Sequence, residues 1–547
     1  MSSERLNKRF HWGFIMMVVT VFQVITAYPV VVPDKLNFNL LAIFGAYIAV
    51  EWLYFFIAAA FCGQNNFELE VIGFLFSGIG LTVSSSVYED YALKQMFAIL
   101  LGLCVFIVLI ITLRRTDIVM KLRMPVAFAA VGLLGLNLLL AETTNGARNW
   151  ITVAGFSIQP SEIVKLAFIF VGAASLDKLQ TTKSIIKYII FSVGCVGALF
   201  LMKDFGTALI FFFTFVIIAF MRSGDMRTIA LVCVVAALGA IMIIMFRPTV
   251  AARFATYRHV WEDMNGTGMQ QTRVLIYSVS GGLFGLGIGE GKLKHIFAST
   301  TALVFGMLCE EWGMILALLI VLTYVFILIY AIKVARTTRS TFYAIAACAA
   351  GGLMLFQTAL NIFGVTDILP LTGVTLPFIS RGGSSLICSW GLLAFIKAAD
   401  IRTYPKLSKT ILPEHPLYPE GMRMTRLGPR TNRGMPQQRR PVRPPAPPKG
   451  QPNQQRRPMQ QPPQQRQAPA RQTPPQRQTP ARQTPQQRQA PARQTPQRQA
   501  PPQRPSAPRQ GVTPSRQAPA QKQPPQRRPA TPPPQGRVQN TNRRPPR

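Results

Sequence analysis

The sequence has few acidic residues and few cysteines. The first shortage makes the chain strongly basic, and the second argues against a disulfide-rich or zinc-binding protein. Only 22 Asp and Glu oppose 58 Lys and Arg in 547 residues, which gives a formal charge of +36. The 7 cysteines stand singly, at spacings that fit neither a disulfide framework nor a zinc site. We therefore predict that the cysteines pack within apolar surroundings.

The C-terminal part lacks aromatic residues: no Phe, Tyr or Trp follows Tyr418. From Ile401 onward, 30 Lys and Arg face 2 Glu, so this segment holds +28 and residues 1–400 hold +8. Pro, Gln, Arg and Ala recur loosely from about His415, which predicts a disordered tail with little to bury. The absence of rings on which bases stack argues against a specific nucleic-acid partner. Anionic lipid headgroups or an acidic protein fit the charge better, and a solvated spacer is the plain alternative.

Long apolar runs fill the first 400 residues. Each is long enough to cross a hydrocarbon core of about 30 Å. The sequence therefore predicts an all-α polytopic integral membrane protein with about twelve transmembrane helices. The predicted spans are 12–32, 39–61, 69–86, 96–113, 125–141, 160–176, 185–202, 207–221, 228–246, 302–330, 341–363 and 384–398.

Basic residues mark one side of the predicted bundle. They precede the first span and follow the fourth, as in Arg5 and Arg114, and they recur at Lys183, Arg222 and Lys333. The positive-inside rule then puts both termini in the cytoplasm. The acidic segment from Cys62 to Glu70 departs from this pattern and leaves the orientation of the first two helices open.

Residues 148–165 carry polar groups directly into an apolar run. Pro160 suits a first helical position, with Gln159 as the cap, and Glu162 and Lys165 then lie on neighbouring faces of one helix. Ionisable groups in a bilayer are costly, which favours a functional site. The alternative is that Glu162 only stabilises the helix, because a carboxylate interacts favourably with the positive end of the helix dipole.

Two further polar regions precede predicted helices or interrupt them. The segment from Arg247 to about Thr301 is long for a loop, and the segment Gly364 to Ser385 breaks a helix at membrane depth with glycines and prolines. The cationic side chains of the three polar regions, together with exposed backbone N–H groups beside glycines, suit the binding of a pyrophosphate. The cationic candidates are Arg148, Arg253, Arg258, Lys292 and Arg381. Asp204 either caps the next helix or contacts substrate.

Several separate motifs resemble the SEDS family (shape, elongation, division and sporulation) of the FtsW, RodA and SpoVE types. They fall within roughly Leu69 to Asp400 and follow one another in a specific order. They are Gly146-Ala-Arg-Asn-Trp150, Gln159-Pro-Ser-Glu-Ile-Val-Lys165, Asp204-Phe-Gly-Thr-Ala208, Gly268-Met-Gln270, Ser280-Gly-Gly-Leu-Phe-Gly285, Glu310-Glu-Trp-Gly313 and Leu369 to Ser385.

The resemblance implies three segments and a function. Residues 1–68 would add two helices to a ten-helix core at 69–400, and 401–547 would form the cytoplasmic tail. Family members polymerise lipid II, an undecaprenyl-pyrophosphate-linked disaccharide, usually beside a class B penicillin-binding protein in the bacterial plasma membrane. The implied substrate-binding residues are Arg148, Gln159, Ser161, Glu162, Lys165, Asp204, Arg253, Arg258, Gln270, Lys292, Arg381, Ser384 and Ser385. The sequence indicates no particular cofactor, and a divalent cation is compatible with such a substrate.

The sequence departs from the family at the position of its catalytic Asp. Counting back from Glu310 puts that position at Ala302, and alanine cannot accept a proton. Glu290 is the nearest acid that a loop could supply, with Asp263 behind it. Arg381 also stands where the family commonly has Tyr. Because the other polar motifs are present, we still expect a peptidoglycan glycosyltransferase. The alternatives are a non-catalytic scaffold for a penicillin-binding protein, which Ala302 favours, and a lipid II flippase.

Overall fold

The computed structural model describes residues 12–404 apart from 63–65, 145–146, 154–155, 176–181 and twelve positions between 228 and 247. Most of these residues are helical. The helices are α1 Trp12–Val31, α2 Phe38–Cys62, α3 Glu68–Val87, α4 Asp90–Thr112, α5 Thr116–Leu140, α6 Pro160–Ser175, α7 Thr182–Leu201, α8 Phe205–Ser223, α9 Pro248–Thr256, α10 Met269–Ser280, α11 Val304–Met307, α12 Met314–Ala335, α13 Thr341–Val365 and α14 Gly383–Ala399.

Eight of the described helices are long and apolar enough to cross a membrane, and α14 and residues 186–201 of α7 form shorter apolar helices. The all-α polytopic class is thereby confirmed. The predicted span 228–246 lies largely outside the described residues, as does the tail from 405 onward.

One predicted span begins too early. Residues 302–313 are not part of α12, because α11 runs into a π turn at Leu308–Trp312 and Gly313 has φ 87°. A Cβ at Gly313 would collide with the backbone around Leu283, so a residue without a side chain is needed at this break.

A small antiparallel sheet between α5 and α6 was not predicted. Strands β1 Glu142–Thr144, β2 Ala147–Val153 and β3 Phe156–Ile158 pair in the order β1-β2-β3. Glu142 faces Trp150 in the ladder, and Ile151 faces Ile158. The sheet leads the chain straight to the start of α6.

Local sequence sets the starts of two important helices. Pro160 opens α6, as predicted. Asp204 caps α8 by accepting the backbone N–H of Thr207 at 3.1 Å, and left-handed Gly224, with φ 61°, ends the same helix.

Small residues let the central helices approach one another closely. The buried indole of Trp390 in α14 packs against α3 and α4, where an added Cβ at Gly102 would lie 2.7 Å from it. Phe74 meets the same ring edge-on at 5.0 Å. Close packing over small residues is the usual way in which helices associate in lipid.

The first two helices pack on α3. Gln23 of α1 donates to Glu51 of α2 at 2.8 Å, and the hydroxyl of Tyr47 donates to the backbone carbonyl of Phe74. We call the end of the bundle where α6, α8 and α14 begin the site end. The opposite end, where α3 begins and α14 finishes, is the tail end.

Candidate functional site

The Glu162 and Lys165 side chains form a buried ion pair at the site end. The Lys165 ammonium lies 2.8 Å from Glu162 Oε1, and the exposed fractions of the two side chains are 1% and 5%. Since isolated charges are too costly to bury, each group requires the other. The second acceptor of Lys165 is the amide oxygen of Gln357 in α13, also at 2.8 Å.

Gln357 extends this pair towards the loop before α14. Its amide N–H groups donate to the carbonyl oxygen of Thr375 at 2.9 Å and to the Thr375 hydroxyl at 3.1 Å. The Thr375 hydroxyl lies 2.8 Å from that of Ser385. A continuous buried chain of polar groups therefore joins α6, α13 and the start of α14.

A second buried group centres on Asp204. Its Oδ2 accepts from the Gln159 amide at 3.0 Å and from the Asn149 amide at 3.2 Å. The Gln159 side chain also donates to Ser161, while its backbone N–H donates to Ser384 at 3.1 Å. Asp204 thus caps α8, as one of the two sequence-based alternatives held, and the same carboxylate binds the α6 cap. The contact with substrate stays a prediction.

Ala302 lies against the loop before α14. Its carbonyl oxygen accepts from the Asn361 amide at 2.9 Å, and that amide also donates to Val374 at 2.7 Å. The backbone carbonyl of Thr300 accepts the backbone N–H of Arg381 at 2.7 Å. The backbone carbonyl of Thr301 accepts the Ser380 hydroxyl, also at 2.7 Å. The position at which the family resemblance implies an acid therefore borders the loop that leads into Ser384 and Ser385 at the start of α14.

Arg381 is held by an aromatic ring. Its guanidinium carbon lies 4.1 Å from the ring centroid of Tyr91 in α4, which is a close cation–π geometry. The arrangement leaves the N–H edge of the guanidinium available to an anion or a hydroxyl.

The glycine-rich segment 281–291 encloses two buried acids instead of presenting its N–H groups. Glu310 accepts the backbone N–H groups of Lys292 at 2.7 Å and Leu293 at 2.9 Å, and Glu311 accepts that of Gly289 at 3.0 Å. The expectation that backbone N–H groups beside these glycines would face an anion is therefore wrong for this stretch. Glu310 and Glu311 brace the loop, because amide donors compensate buried carboxylates.

The two acids considered as substitutes for the missing Asp differ. Asp263 is exposed, and hydrogen bonds from the Thr267 backbone and hydroxyl lower the pKa of its carboxyl. Glu290 is also exposed and, within the described part of the chain, its carboxylate has no hydrogen-bond partner. Glu290 is therefore the freer proton acceptor.

The other predicted cations are not joined to the buried groups. Arg253, Arg258 and Lys292 are exposed, and Arg258 has φ 61° beside Tyr257, whose hydroxyl donates to Ile368. Gln270 donates to the Phe297 carbonyl at 3.3 Å. The Arg148 side chain lies outside the described part, although its neighbour Asn149 reaches Asp204.

Three members of the site were missed from the sequence: Asn149, Gln357 and Asn361. Gln357 and Asn361 are four residues apart on an apolar helix, a spacing that puts two amides on one face. The sequence therefore contained a signal for these two amides, but it did not show which residues they would contact. Among the described residues, no group of three His, Cys, Asp or Glu side chains could hold a metal ion.

The fold and the buried charges define a multi-pass α-helical membrane protein. A family model described as "Cell cycle protein", for FtsW, RodA and SpoVE, matches residues 65–404. The chain belongs to this family, as the motifs had indicated.

Several characterised relatives carry related names. The chain is 27% identical to "Probable peptidoglycan glycosyltransferase FtsW" of Bacillus subtilis, over 62% of this chain and 87% of the relative. It is 32% identical to "Stage V sporulation protein E" of the same organism, over 44% of this chain and 68% of the relative. It is 29% identical to "Peptidoglycan glycosyltransferase RodA" of Mycobacterium tuberculosis, over 46% and 57%.

The fold is similar to that of a solved chain from a structure described as "Structural coordination of polymerization and crosslinking by a peptidoglycan synthase complex". The TM-score is 0.51 at 22% identity, over 62% of this chain and 97% of the other. At this identity the likeness concerns the fold.

Proposed function

We propose that this protein is a peptidoglycan glycosyltransferase of the bacterial plasma membrane that polymerises lipid II. The carrying observation is the meeting of the Glu162–Lys165 pair and the Asp204 group at the loop that borders Ala302. Family membership supports the reaction class, and both termini are proposed to lie in the cytoplasm.

The reaction needs a proton acceptor and cations. A sugar hydroxyl attacks the anomeric carbon of a second lipid II, the bond from that carbon to the pyrophosphate oxygen breaks, and the pyrophosphate leaves with the electron pair. A carboxylate takes the hydroxyl proton. We assign this step to Glu290, the exposed acid of the glycine-rich segment whose carboxylate has no partner among the described residues, and the stabilisation of the leaving group to Lys165 and Arg381.

Roles for the remaining polar residues follow from their contacts. Gln159, Ser161 and Asp204 hold the start of α6, while Ser384 and Ser385 hold the start of α14. Lys165 has three N–H donors and two described acceptors, which leaves one donor for a further acceptor beside this buried side chain. A class B penicillin-binding protein stays the proposed partner, as the family resemblance implies; the structure that contains the similar chain is described as coordinating polymerization and crosslinking, which agrees with this proposal.

The experiment is polymerisation of lipid II by purified full-length protein with its penicillin-binding partner. Wild type should yield glycan on gels, and Glu290→Gln should reduce the initial rate about 100-fold, the order of a general base. Glu262→Gln is the matched control, since Glu262 is an exposed acid of the same segment and pairs with His259. Absence of glycan with wild type, despite measured lipid II binding, would refute the proposal.

Ala302 supports a second candidate, a scaffold that binds a penicillin-binding protein without transferring sugar. The residue carries only a methyl group where the resemblance implies an acid. If the scaffold reading is correct, wild type makes no glycan but raises crosslinking by the partner. Ala302→Asp separates the two: a gain in polymerisation indicates an otherwise intact site.

A further inference from the structure

A cluster of aromatic and charged side chains lies beside the proposed site. We call it the α4 platform and define it as Tyr88, Tyr91, Lys94 and Arg381. The two tyrosine rings meet edge-on with centroids 5.2 Å apart. Arg381 covers Tyr91 from one direction at 4.1 Å, and the Lys94 ammonium lies 5.6 Å from the same ring centroid.

The platform is accessible and its polar ends are unused. Tyr88 is 54% exposed, and Tyr91 and Arg381 are partly exposed. Within the described residues, neither tyrosine hydroxyl has a hydrogen-bond partner. Interfacial tyrosines are common in membrane proteins, but interfacial location alone does not account for a guanidinium stacked on one of them.

Charges around the platform are balanced. Glu89 and Asp90 are exposed beside Lys94 and Arg381, so two acids accompany two cations. A surface of this kind has no net attraction for an anionic lipid headgroup. It offers ring faces together with donors and acceptors, which suits a neutral, hydroxyl-rich ligand.

The platform is held in place from two directions. The backbone N–H of Arg381 donates to the backbone carbonyl of Thr300, two residues before Ala302. On the other side, the Asn37 amide donates to Glu89 at 2.8 Å. Asn37 lies in the connection between α1 and α2, outside the family match at 65–404, so the N-terminal segment contributes to this surface through that connection.

We propose that the α4 platform binds sugar rings of the glycan strand next to the site of transfer. This inference rests on the proposed function, because that reaction makes the strand. The rings of Tyr88 and Tyr91 contact the C–H faces of the sugars, while Arg381 and the free hydroxyls bind their oxygens. Binding there retains the strand between successive additions.

The first test measures binding of a neutral glycan probe, a β-1,4-linked N-acetylglucosamine oligosaccharide, to the full-length protein in detergent. Tyr88→Ala/Tyr91→Ala should weaken binding about tenfold, which corresponds to about 1.4 kcal/mol. Tyr28→Ala is the matched control, because Tyr28 is an exposed tyrosine near the same end of the bundle. Unchanged affinity in the double variant, or an equal loss in Tyr28→Ala, would overturn the platform.

The second test separates the platform from the proposed reaction. In lipid II polymerisation, the double variant should release shorter strands than wild type, and Tyr28→Ala should not. Equal strand length in wild type and the double variant leaves the glycosyltransferase standing and refutes the platform. If wild type makes no strand, but the double variant still loses affinity for glycan, the reaction fails and the platform stands.

Discussion

The two ends of the helix bundle both bury charge, but they do so with different partners. At the tail end, Lys397 pairs with Glu70 at 2.6 Å with both side chains fully buried. Nearby, Arg402 binds Asp400 at 2.7 Å and Glu68 at 2.8 Å. At the site end, the Glu162–Lys165 pair is joined to the amide of Gln357 and, through it, to the hydroxyls of the loop residue Thr375 and of Ser385.

The difference in partners indicates different roles for the two ends of the bundle. At the tail end the partners come from helix ends, and ionic pairs tie α3 to α14 just before residue 404. At the site end the partners include loop residues that can shift as substrate arrives. We infer that the tail end stabilises the fold, whereas the site end also serves the reaction.

The largest expected effect is on activity at the site end. Lys165→Met should lower lipid II polymerisation about 100-fold or more, the order for removal of one preorganised electrostatic group. Glu162→Gln/Lys165→Met should regain stability, because no buried charge remains unpaired, but it should not regain activity. Lys333→Met serves as control, because Lys333 is exposed in the last turn of α12. Recovery of activity in the double variant would contradict the proposed difference between the two ends.

The tail end should respond in stability. Lys397→Met leaves Glu70 buried without its cation, and we expect a loss of about 3–5 kcal/mol in the free energy of unfolding. Titration with SDS in mixed micelles measures it. Glu70→Gln/Lys397→Met should recover most of the loss together with full polymerisation. A stable double variant without activity would show that this pair also serves the reaction.

Asp204 lies between these extremes because it both caps a helix and binds the α6 cap. Asp204→Ala should cost about 1–2 kcal/mol through loss of the cap, with a further loss of activity. Asp204→Asn keeps a capping oxygen for Thr207, but the amide nitrogen that replaces Oδ2 is a donor and accepts from neither Gln159 nor Asn149. We therefore expect near-normal thermal stability with reduced polymerisation, and equal activity of Asn and wild type would contradict a role in the site.

The smallest effect concerns acid stability at the tail end. Burial alone would raise the pKa of Asp400, but hydrogen bonds and charge from Arg402 outweigh it and hold the pKa below the usual 3.8. A lowered folded-state pKa means that this stabilisation is present above pH 3.8 and is lost as pH falls through the lower value. Asp400→Asn should flatten the pH dependence of thermal stability in that acidic range, whereas an unchanged profile would exclude Asp400 as its source.

Local spacing predicted part of the site. Glu162 and Lys165 are three residues apart, so their pairing followed from helix geometry, and Pro160 marked the helix start. The contact of Gln159 with Ser384 spans 225 residues. Many polar residues were equally eligible as its partner, and only packing of α6 against α14 selects one. The glycines of segment 281–291 misled for the same reason: the Gly289 N–H donates to the Glu311 carboxylate, and other N–H groups of the segment donate to backbone carbonyls.

The amino-acid sequence by itself determined the spanning helices, since a backbone in hydrocarbon must satisfy its own hydrogen bonds and apolar length decides where this happens. It also determined the composition of the basic tail and the family motifs. Tertiary structure alone decided which polar groups meet, such as Lys165 with Gln357 and Arg381 with Tyr91. Buried polar groups need partners, but their chemistry permits many, and only the packed helices bring one within reach.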